Sequence, residues 1–355
     1  MSKTYNHNGY TFIHKEDMSH EEWLDTRRDG VGGSDVSVVM GMNPWQSAIR
    51  LFYEKLGVVF PKNLDENDSI FWGRMDEDNI RNASQYYDKS DPLKYMPNFY
   101  GGNQLHTHAD VPFFIIRDDM PWLQANVDGL GWENQIIDQP NLYLTELIKG
   151  GKLPEADKVV EIKTIKGRSR DRWAGGIPHG YVLQVLTYMM VCEGLGATTG
   201  EIYSRVDGVN LEYHPIEWNN DLMAEIYVKT REFQDRIEKA REAIKGFYGS
   251  VDEIFDVCMD FEPEPDGSED YSKFYSENEL LKIEAAKTKI IGTKEVRDAV
   301  VRYQELGRVE SEASAERKEI SNFLKHYLRE NKCTVATFEE GGKISFNRRI
   351  YISGI

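Results

Sequence analysis

The residues whose types and spacing best suit chemistry are Glu161, Ile162 and Lys163. On a strand, alternate side chains share a face, so Glu161 and Lys163 project together. A carboxylate beside an ammonium suits hydrolysis of a phosphodiester: the carboxylate holds Mg²⁺, and the lysine orients a water or stabilises developing charge. Alone the triplet is a weak signal, because 29% of the chain is charged and a surface ion pair is the ordinary meaning. Its weight comes from its company. Upstream, Ala125-Asn126-Val127-Asp128-Gly129 reads as a strand ending in an aspartate before a glycine, which in isolation is only a turn. Earlier still, Gly73-Arg74-Met75-Asp76-Glu77 sets an acid in a helix that begins after Phe71 and Trp72. Downstream, Gln184 and Tyr188 lie one helical turn apart and share a face. The ordered set is far more specific than any member.

These side chains need elements to hold them. Ser19 is an N-cap for a helix to Arg28, with Glu22 as its capping-box partner. A glycine-rich turn follows at residues 30–35, then the apolar run Val36 to Met40. Ala48 to Leu56 and Arg74 to Tyr87 have helical patterns. Val111 to Arg117, Trp122 to Val127 and Val159 to Thr164 have strand patterns. Tyr181 to Glu193 reads as an apolar helix, followed by a strand pair near 201–206 and 209–215 and a striped helix over 222–244. Residues 262–275, opening Glu-Pro-Glu-Pro-Asp-Gly-Ser, have the composition of an acidic linker. Beyond it the pattern predicts helices over about 276–307 and 309–330. There Leu280, Ile283, Ile290, Val296, Val300 and Tyr303 would form one buried face. That face would pack on the rest of the chain or between subunits, or dock a partner. A terminal hairpin closes the chain, from 334–338 through Gly341-Gly342 to 343–351.

Composition narrows the class. With 43 Lys and Arg against 60 Asp and Glu, the net charge is −17, which opposes nucleic-acid binding unless metal ions and a local basic groove supply positive charge. Lys163, Lys166, Arg168, Arg170 and Arg172 provide such a run directly after the Glu-x-Lys strand, where phosphates would approach. Trp173 beside it reads as a core anchor, with base stacking as the alternative. Cys192, Cys258 and Cys333 are scattered and odd in number, which argues against a disulfide framework or a metal cluster. His106 and His108 have no third zinc ligand nearby and read as structural or exposed. No apolar run reaches membrane length, and the first residues lack the apolar core of a secretion signal, so the expectation is a cytoplasmic protein without a membrane role.

Taken together, the motifs resemble the YqaJ-type viral recombinase family, whose members include phage lambda exonuclease-like enzymes of the PD-(D/E)xK nuclease superfamily. Arg27 or Arg28 with Gly32-Gly33-Ser34-Asp35 is similar to the family's arginine and Gly-Gly-Ser-Asp turn. Met40 to Trp45 is similar to its "GLNPY" segment, and Tyr53 to Gly57 to its "xxEKxG". Glu77 matches the "GxxxE" acid, Asp128 the "NxDG" aspartate, Glu161 and Lys163 the "ExK" strand, and Gln184, Tyr188 and Met189 the "QxQxYM" helix. The likeness spans about residues 20 to 206. Two departures stand out: Leu186 replaces the second glutamine, and 33 positions separate Asp128 from Glu161, which implies an inserted excursion near 131–158.

The resemblance implies an α/β fold with a restriction-endonuclease-like core, a central mixed sheet flanked by helices, and a C-terminal helical extension with a hairpin. The nuclease domain would span 1–261 and the extension 276–355. It implies Mg²⁺, with Mn²⁺ as a substitute, held by Asp128, Glu161 and the Ile162 carbonyl, with Glu77 beside them. Lys163 would position the attacking water, Gln184 would hold the site's geometry, and Tyr188 would pack. Arg27, the better match of the two arginines, and Ser34 would receive a DNA 5′-phosphate, with Lys166, Arg168 and Arg170 along the DNA path. The reaction would be stepwise hydrolysis of linear duplex from a 5′ end, leaving a 3′ single strand for an annealing protein. A closed homo-oligomer, a trimer first of all, would enclose the DNA. The rivals are a restriction-type or Cas4-like endonuclease, the latter disfavoured by the missing cysteines, and a DNA-end-binding module without catalysis.

Overall fold

Alternation of apolar and polar residues from Thr4 to His14, broken at Asn8-Gly9, folds the start of the chain into a hairpin of β1 (Thr4–His7) and β2 (Tyr10–His14). Asn8 and Gly9 both take positive φ there, as a tight turn between twisted strands requires. This hairpin is absent from the sequence reading. The computed structural model describes residues 4–16, 18–61, 68–89, 104–165, 167, 170–173, 175–278, 292–331, 333–337, 343–347 and 349–353.

Next come α1 (His20–Arg28), β3 (Val31–Gly32), α2 (Gly33–Val39), α3 (Ala48–Leu56) and α4 (Asp68–Ser84). The expected capping box at Ser19 and Glu22 is present on α1. Short strands follow: β4 (Thr107–Ala109), β5 (Phe113–Arg117), β6 (Leu123–Ala125) and β7 (Gly129–Trp132). The excursion between Asp128 and Glu161 carries α5 (Pro140–Lys149), which buries Leu144 and Ile148 and packs on β4 before the chain returns in β8 (Lys158–Ile165). The first unit is completed by α6 (Arg170–Trp173), α7 (His179–Cys192), β9 (Thr199–Val206), β10 (Asn210–Ile216), α8 (Asn220–Ala243), α9 (Val251–Cys258) and α10 (Glu269–Glu277).

The fold is α/β, as expected, but the strands divide between two five-stranded mixed sheets and not one central sheet. One runs β1-β2-β5-β6-β3 and the other β10-β9-β8-β7-β4; only β3–β6 and β8–β9 are parallel pairs. The principal core lies between strands and helices, where α7 presents Leu183, Val185, Leu186 and Met189 to Phe12, Ile115, Val159 and Ile202. A smaller core of Ile80, Tyr87, Val160, Ile162, Tyr203 and Leu211 covers the opposite face of β8 and β9. Among the described residues no helix is long and apolar enough to cross a membrane.

The stretch 262–275 is not a linker. Phe274 is fully buried, and Asp270 accepts hydrogen bonds from the Ser47 amide and hydroxyl and from Arg50 Nε at 2.8–3.0 Å. Asp266 accepts from the Ala48 amide at 2.8 Å, so the acids cap the start of α3. The first unit accordingly extends to Lys282, beyond the boundary at 261 that composition suggests.

The second unit, Ile283–Ile355, holds α11 (Lys294–Glu330) and a sheet of β11 (Val335–Thr337), β12 (Lys343–Asn347) and β13 (Arg349–Ser353). A three-stranded antiparallel sheet replaces the simple hairpin. The two expected helices are instead one of 37 residues, because a single glycine, Gly307, costs only about 1 kcal/mol among good helix formers. Among the described residues of this unit no second helix folds back on it, and Val296, Val300 and Tyr303 are exposed. Leu280, Ile283, Ile290, Gly341 and Gly342 lie outside the described residues.

Candidate active site

Strand β8 carries Glu161 and Lys163 on the face toward α7, while Lys158, Val160 and Ile162 face the smaller core. Strand β7 pairs with β8 only as far as Gly129↔Val160. Just before it, Asp128 takes over the edge: its Oδ2 accepts from the Ile162 amide at 2.8 Å. Amide and carbonyl of one strand residue point to the same side, so the Ile162 carbonyl is turned toward the same acid. Asp128, just before the start of β7, and Glu161, within β8, thus come together on neighbouring strands.

Glu161 is buried, and Gln184 on α7 donates Nε2 to its Oε1 at 2.7 Å. Lys163 Nζ is paired with that same oxygen. Tyr188 supports Gln184, its hydroxyl accepting a bond from Nε2 at 3.1 Å, and its ring packs so close to Gly33 that a Cβ there would lie 2.3 Å from it. Tyr188 therefore packs, and also fixes the glutamine. The ring of Tyr181 stands 5.0 Å from Lys163 Nζ.

Glu77, on α4, joins the group from the other side. Burial and the charge of Asp128 push its carboxyl up to about 7. Burial, then Asp128, push Glu161 up to about 8 although Lys163 pulls it down. Lys163 is partly buried, yet Glu161 and Asp128 outweigh that penalty and raise its ammonium. Three carboxylates that repel one another at a buried site store the tension that a divalent cation relieves. Among the described residues no three acids, histidines or cysteines yet form a cage, since Lys163 and Gln184 hold one oxygen of Glu161 and the Ile162 amide one of Asp128. The second oxygen of Glu161, Oε2, is buried without a hydrogen-bond partner, and a buried carboxylate oxygen left so is costly unless something positive meets it. The residues therefore fit a cation.

Two basic side chains here went unnoticed in the sequence. Arg81, buried on α4, donates to Glu77 at 2.7 Å and to the Asp128 carbonyl at 2.9 Å. Lys15, at the end of β2, donates to Asn126 Oδ1 at 2.8 Å, and burial lowers its pKa against the charges of Asp110, Asp128 and Glu77. Asn126 is thus the asparagine of the Asn-x-Asp-Gly turn, anchored from 111 positions away. Neither has a local signal: an i+4 arginine on a helix reads as a solvated partner, and a strand-end lysine as surface.

The glycine turn makes a second cluster. Arg27 Nη2 donates to Ser34 Oγ at 3.3 Å and to Asp35 Oδ1 at 3.1 Å, and its guanidinium lies 5.0 Å from the Trp23 ring. Beneath it, Lys55 is buried and donates to Asp35 Oδ2 and to the Arg27 and Gly30 carbonyls at 2.6–2.7 Å. The Gly-Gly-Ser-Asp and Glu-Lys-x-Gly segments are therefore two halves of one ion pair, which shapes the turn and leaves Arg27 and Ser34 outermost. Gly30 has no room for a side chain, with the Trp122 carbonyl 2.8 Å from a notional Cβ. Arg28 turns away to Asp25.

Of the basic run, Arg170 is exposed and pairs with Asp207 at 3.3 Å beyond the end of β8; Lys166 and Arg168 lie outside the described residues. Trp173 stacks on Tyr181 and His214 with centroids 5.6 and 5.4 Å away, a partly buried anchor. His106 and His108 are both buried and structural, bonded to the Tyr87 carbonyl and to Ser84 Oγ.

The family model described as YqaJ-like viral recombinase domain matches residues 22–200. The chain belongs to that family. All the acids, Lys163, Gln184 and the Arg27 turn fall inside the YqaJ-like region. The uncharacterized protein YqaJ of Bacillus subtilis (strain 168) is 25% identical over 321 residues, covering 88% of this chain and 80% of that protein. Among solved structures, the chain is similar to an alkaline exonuclease (LHK-Exo) from Laribacter hongkongensis. That match has 19% identity and a TM-score of 0.43, over 64% of this chain and 96% of the other. LHK-Exo in complex with dAMP gives 18% identity and a TM-score of 0.41 over the same shares.

Proposed function

We propose that the protein is a metal-dependent DNA exonuclease that degrades linear duplex stepwise from a 5′ end and leaves a 3′ single strand for recombination by annealing. The observation that carries this reading is the meeting of Asp128, Glu161 and Glu77 around a buried, unpartnered carboxylate oxygen with Lys163 alongside. Membership of a viral recombinase family supports the DNA substrate.

Asp128, Glu161 and the Ile162 carbonyl would hold Mg²⁺ or Mn²⁺, with Glu77 beside them. When bound, the ion supplies Lewis-acid polarisation of the scissile phosphate and charge neutralisation. Lys163 donates to the attacking water or to a phosphate oxygen, its ammonium kept charged by the acids around it. Gln184 fixes the rotamer of Glu161, and Tyr188 fixes Gln184. Arg27 and Ser34 receive the terminal 5′-phosphate; a guanidinium suits that role because its fork can donate two bonds to phosphate oxygens. Arg170, exposed beyond the end of β8, meets the phosphates of the approaching strand, a role we extend to Lys166 and Arg168 of the same basic run. Because a net charge of −17 makes a single subunit a poor holder of DNA, the working form is a closed homo-oligomer, with a trimer as first expectation.

The test is end-labelled linear duplex and a closed circle, each incubated with Mg²⁺. Loss from the 5′ ends with an intact circle is expected. Cutting of the circle at fixed sites would replace this reading with a restriction-type endonuclease. Binding of ends without metal-dependent hydrolysis would leave only a DNA-end-binding module.

A further inference from the structure

We infer that Arg81 is a positioning residue for the metal-holding acids, a role that rests on the nuclease reading of this site. Its guanidinium is buried, with its side chain only 5% exposed. Nε donates to the main-chain carbonyl of Asp128 at 2.9 Å, and Nη2 donates to Glu77 Oε1 at 2.7 Å. Nη1 reaches Asp78 at 2.6 Å, and Asp110 stands 3.4 Å from Nη2. Arg81 is thus bonded both to Glu77 and to the turn that bears Asp128. A planar guanidinium donates in fixed directions, so two simultaneous bonds set the separation and angle between their acceptors.

The need for such a device follows from the charges. Glu77 and Asp128 repel, and they come from different elements, a helix and a strand-end turn, that no backbone ladder joins. Left to itself, Glu77, a third exposed, would turn toward solvent. Arg81 offsets part of the repulsion and pins the carboxylate over the Asp128 turn before any ion arrives. Gly129, next to Asp128, lies beside its stem, where a notional Cβ would sit in ordinary contact with Arg81 Cδ at 3.8 Å. A lysine would keep the charge and lose the two-way geometry.

Calorimetric titration of Mn²⁺ into the intact chain, Arg81→Lys, Glu77→Gln and the double variant tests this, alongside each variant's melting temperature. Partners that orient a ligand are typically worth about 10- to 100-fold in metal affinity. Arg81→Lys is expected to weaken Mn²⁺ by that factor, and the double variant by less than the product of the single effects, because Arg81 acts partly through Glu77. Saturating Mn²⁺ should restore most of the hydrolysis rate of Arg81→Lys. An unchanged Mn²⁺ affinity with a lowered melting temperature would make Arg81 only a brace for α4 and overturn the role, as would fully multiplicative effects. Should Arg81→Lys fail to fold, the side-chain Nε–H of Arg81 in the unmodified, arginine-labelled protein is read by NMR. It is expected to be protected from exchange and to shift on addition of Mg²⁺, and a signal unmoved at saturation would overturn the inference. Absence of any Mn²⁺ binding by the unmodified chain would remove the metal site itself, an outcome separate from loss in the variant alone.

Discussion

Strand β8 carries two buried groups of charges on its opposite faces, and they are built on different principles. On one face Lys158 pairs with Glu133 and, at 2.9 Å, with Glu201, while Lys89 reaches the same two glutamates at 2.6 Å each. Two ammoniums answer two carboxylates. Tyr203 and Tyr213 complete the coordination of Glu201, and burial keeps His108 neutral, with its pKa down near 3. The lysines outweigh the burial of Glu201 and hold its pKa below the ordinary value. On the other face Glu161, with Asp128 at the strand edge, shares Lys163, while Glu77 reaches the group from α4 with the divided attention of Arg81, and the carboxyls of Glu77 and Glu161 are pushed up. The balanced cluster answers its carboxylates with its own cations. An unbalanced one, with an unpartnered carboxylate oxygen at its centre, is a site that expects a cation.

The largest effects should therefore fall on the unbalanced face and touch chemistry alone. Asp128→Asn, Glu161→Gln and Lys163→Ala are each expected to cut hydrolysis by at least about 100-fold while leaving the fold intact. Single-turnover rates on labelled linear duplex, with circular dichroism as the control, measure this. Near-normal turnover in Glu161→Gln would show that the two faces do not differ in kind.

The balanced face should respond in the opposite way. Glu201→Gln leaves Lys158 and Lys89 with only Glu133 to share, and breaking one partner of a buried pair costs about 3–5 kcal/mol. Urea unfolding should report that loss, whereas the fraction still folded should cleave at close to the normal rate. A variant that kept its stability and lost turnover would move Glu201 into the working site.

How much of this contrast is legible in sequence depends on how far each partner lies along the chain. Glu161, Lys163, Asp128, Gln184 and the capping box at Ser19 show themselves because strand alternation and helical spacing act within a few residues. Lys15 with Asn126, and Asp35 with Lys55, are meetings of distant segments, and nothing in either local pattern announces them. The acids at 262–275 read as a linker because proline and acidic residues usually signal one. Here Asp266 and Asp270 serve as remote caps for α3, which only the folded chain can reveal.

A smaller effect tests the glycine turn, where Arg27 is held by Asp35 and Ser34 and still a third exposed. Duplex with a 5′-phosphate should be degraded faster than duplex with a 5′-hydroxyl. Arg27→Ala should remove that preference by slowing the phosphorylated substrate alone, at a cost of about 1.5–3 kcal/mol for a charged hydrogen bond. Equal rates on both ends in the unmodified protein would reduce Arg27 to a structural partner of Asp35.

The elevated carboxyls give the contrast a pH signature. Glu77 and Glu161, at about 7 and 8 against an ordinary 4.5, must lose protons before they can hold a cation, so Mg²⁺ affinity and hydrolysis should climb from pH 6 to about pH 8.5. Without metal the sign for stability is reversed. The folded carboxyls keep protons that the unfolded chain releases near 4.5, so folding takes up protons, and stability falls as pH rises from about 4.5 to 8. Melting temperatures with EDTA should decline across that window and recover when Mg²⁺ is added. A flat profile in EDTA would mean that the acids are not held together as described.

The smallest effect is expected from the far end of the chain. Residues 283–355 form a unit of their own, and every residue assigned here to the site lies before 283. A chain ending at Lys282 should therefore fold and hydrolyse linear duplex at close to the rate of the intact protein. A chain ending at Glu262 should not, since it loses Phe274 from the core and leaves Arg50, buried on α3, without Asp270 and Glu277. An unpaired buried guanidinium is among the costliest defects a core can carry. The pair of truncations separates two meanings of the acidic stretch 262–275. Equal behaviour of the two chains would make it the linker that its composition suggests, whereas collapse of the shorter chain alone makes it the last layer of the YqaJ-like unit.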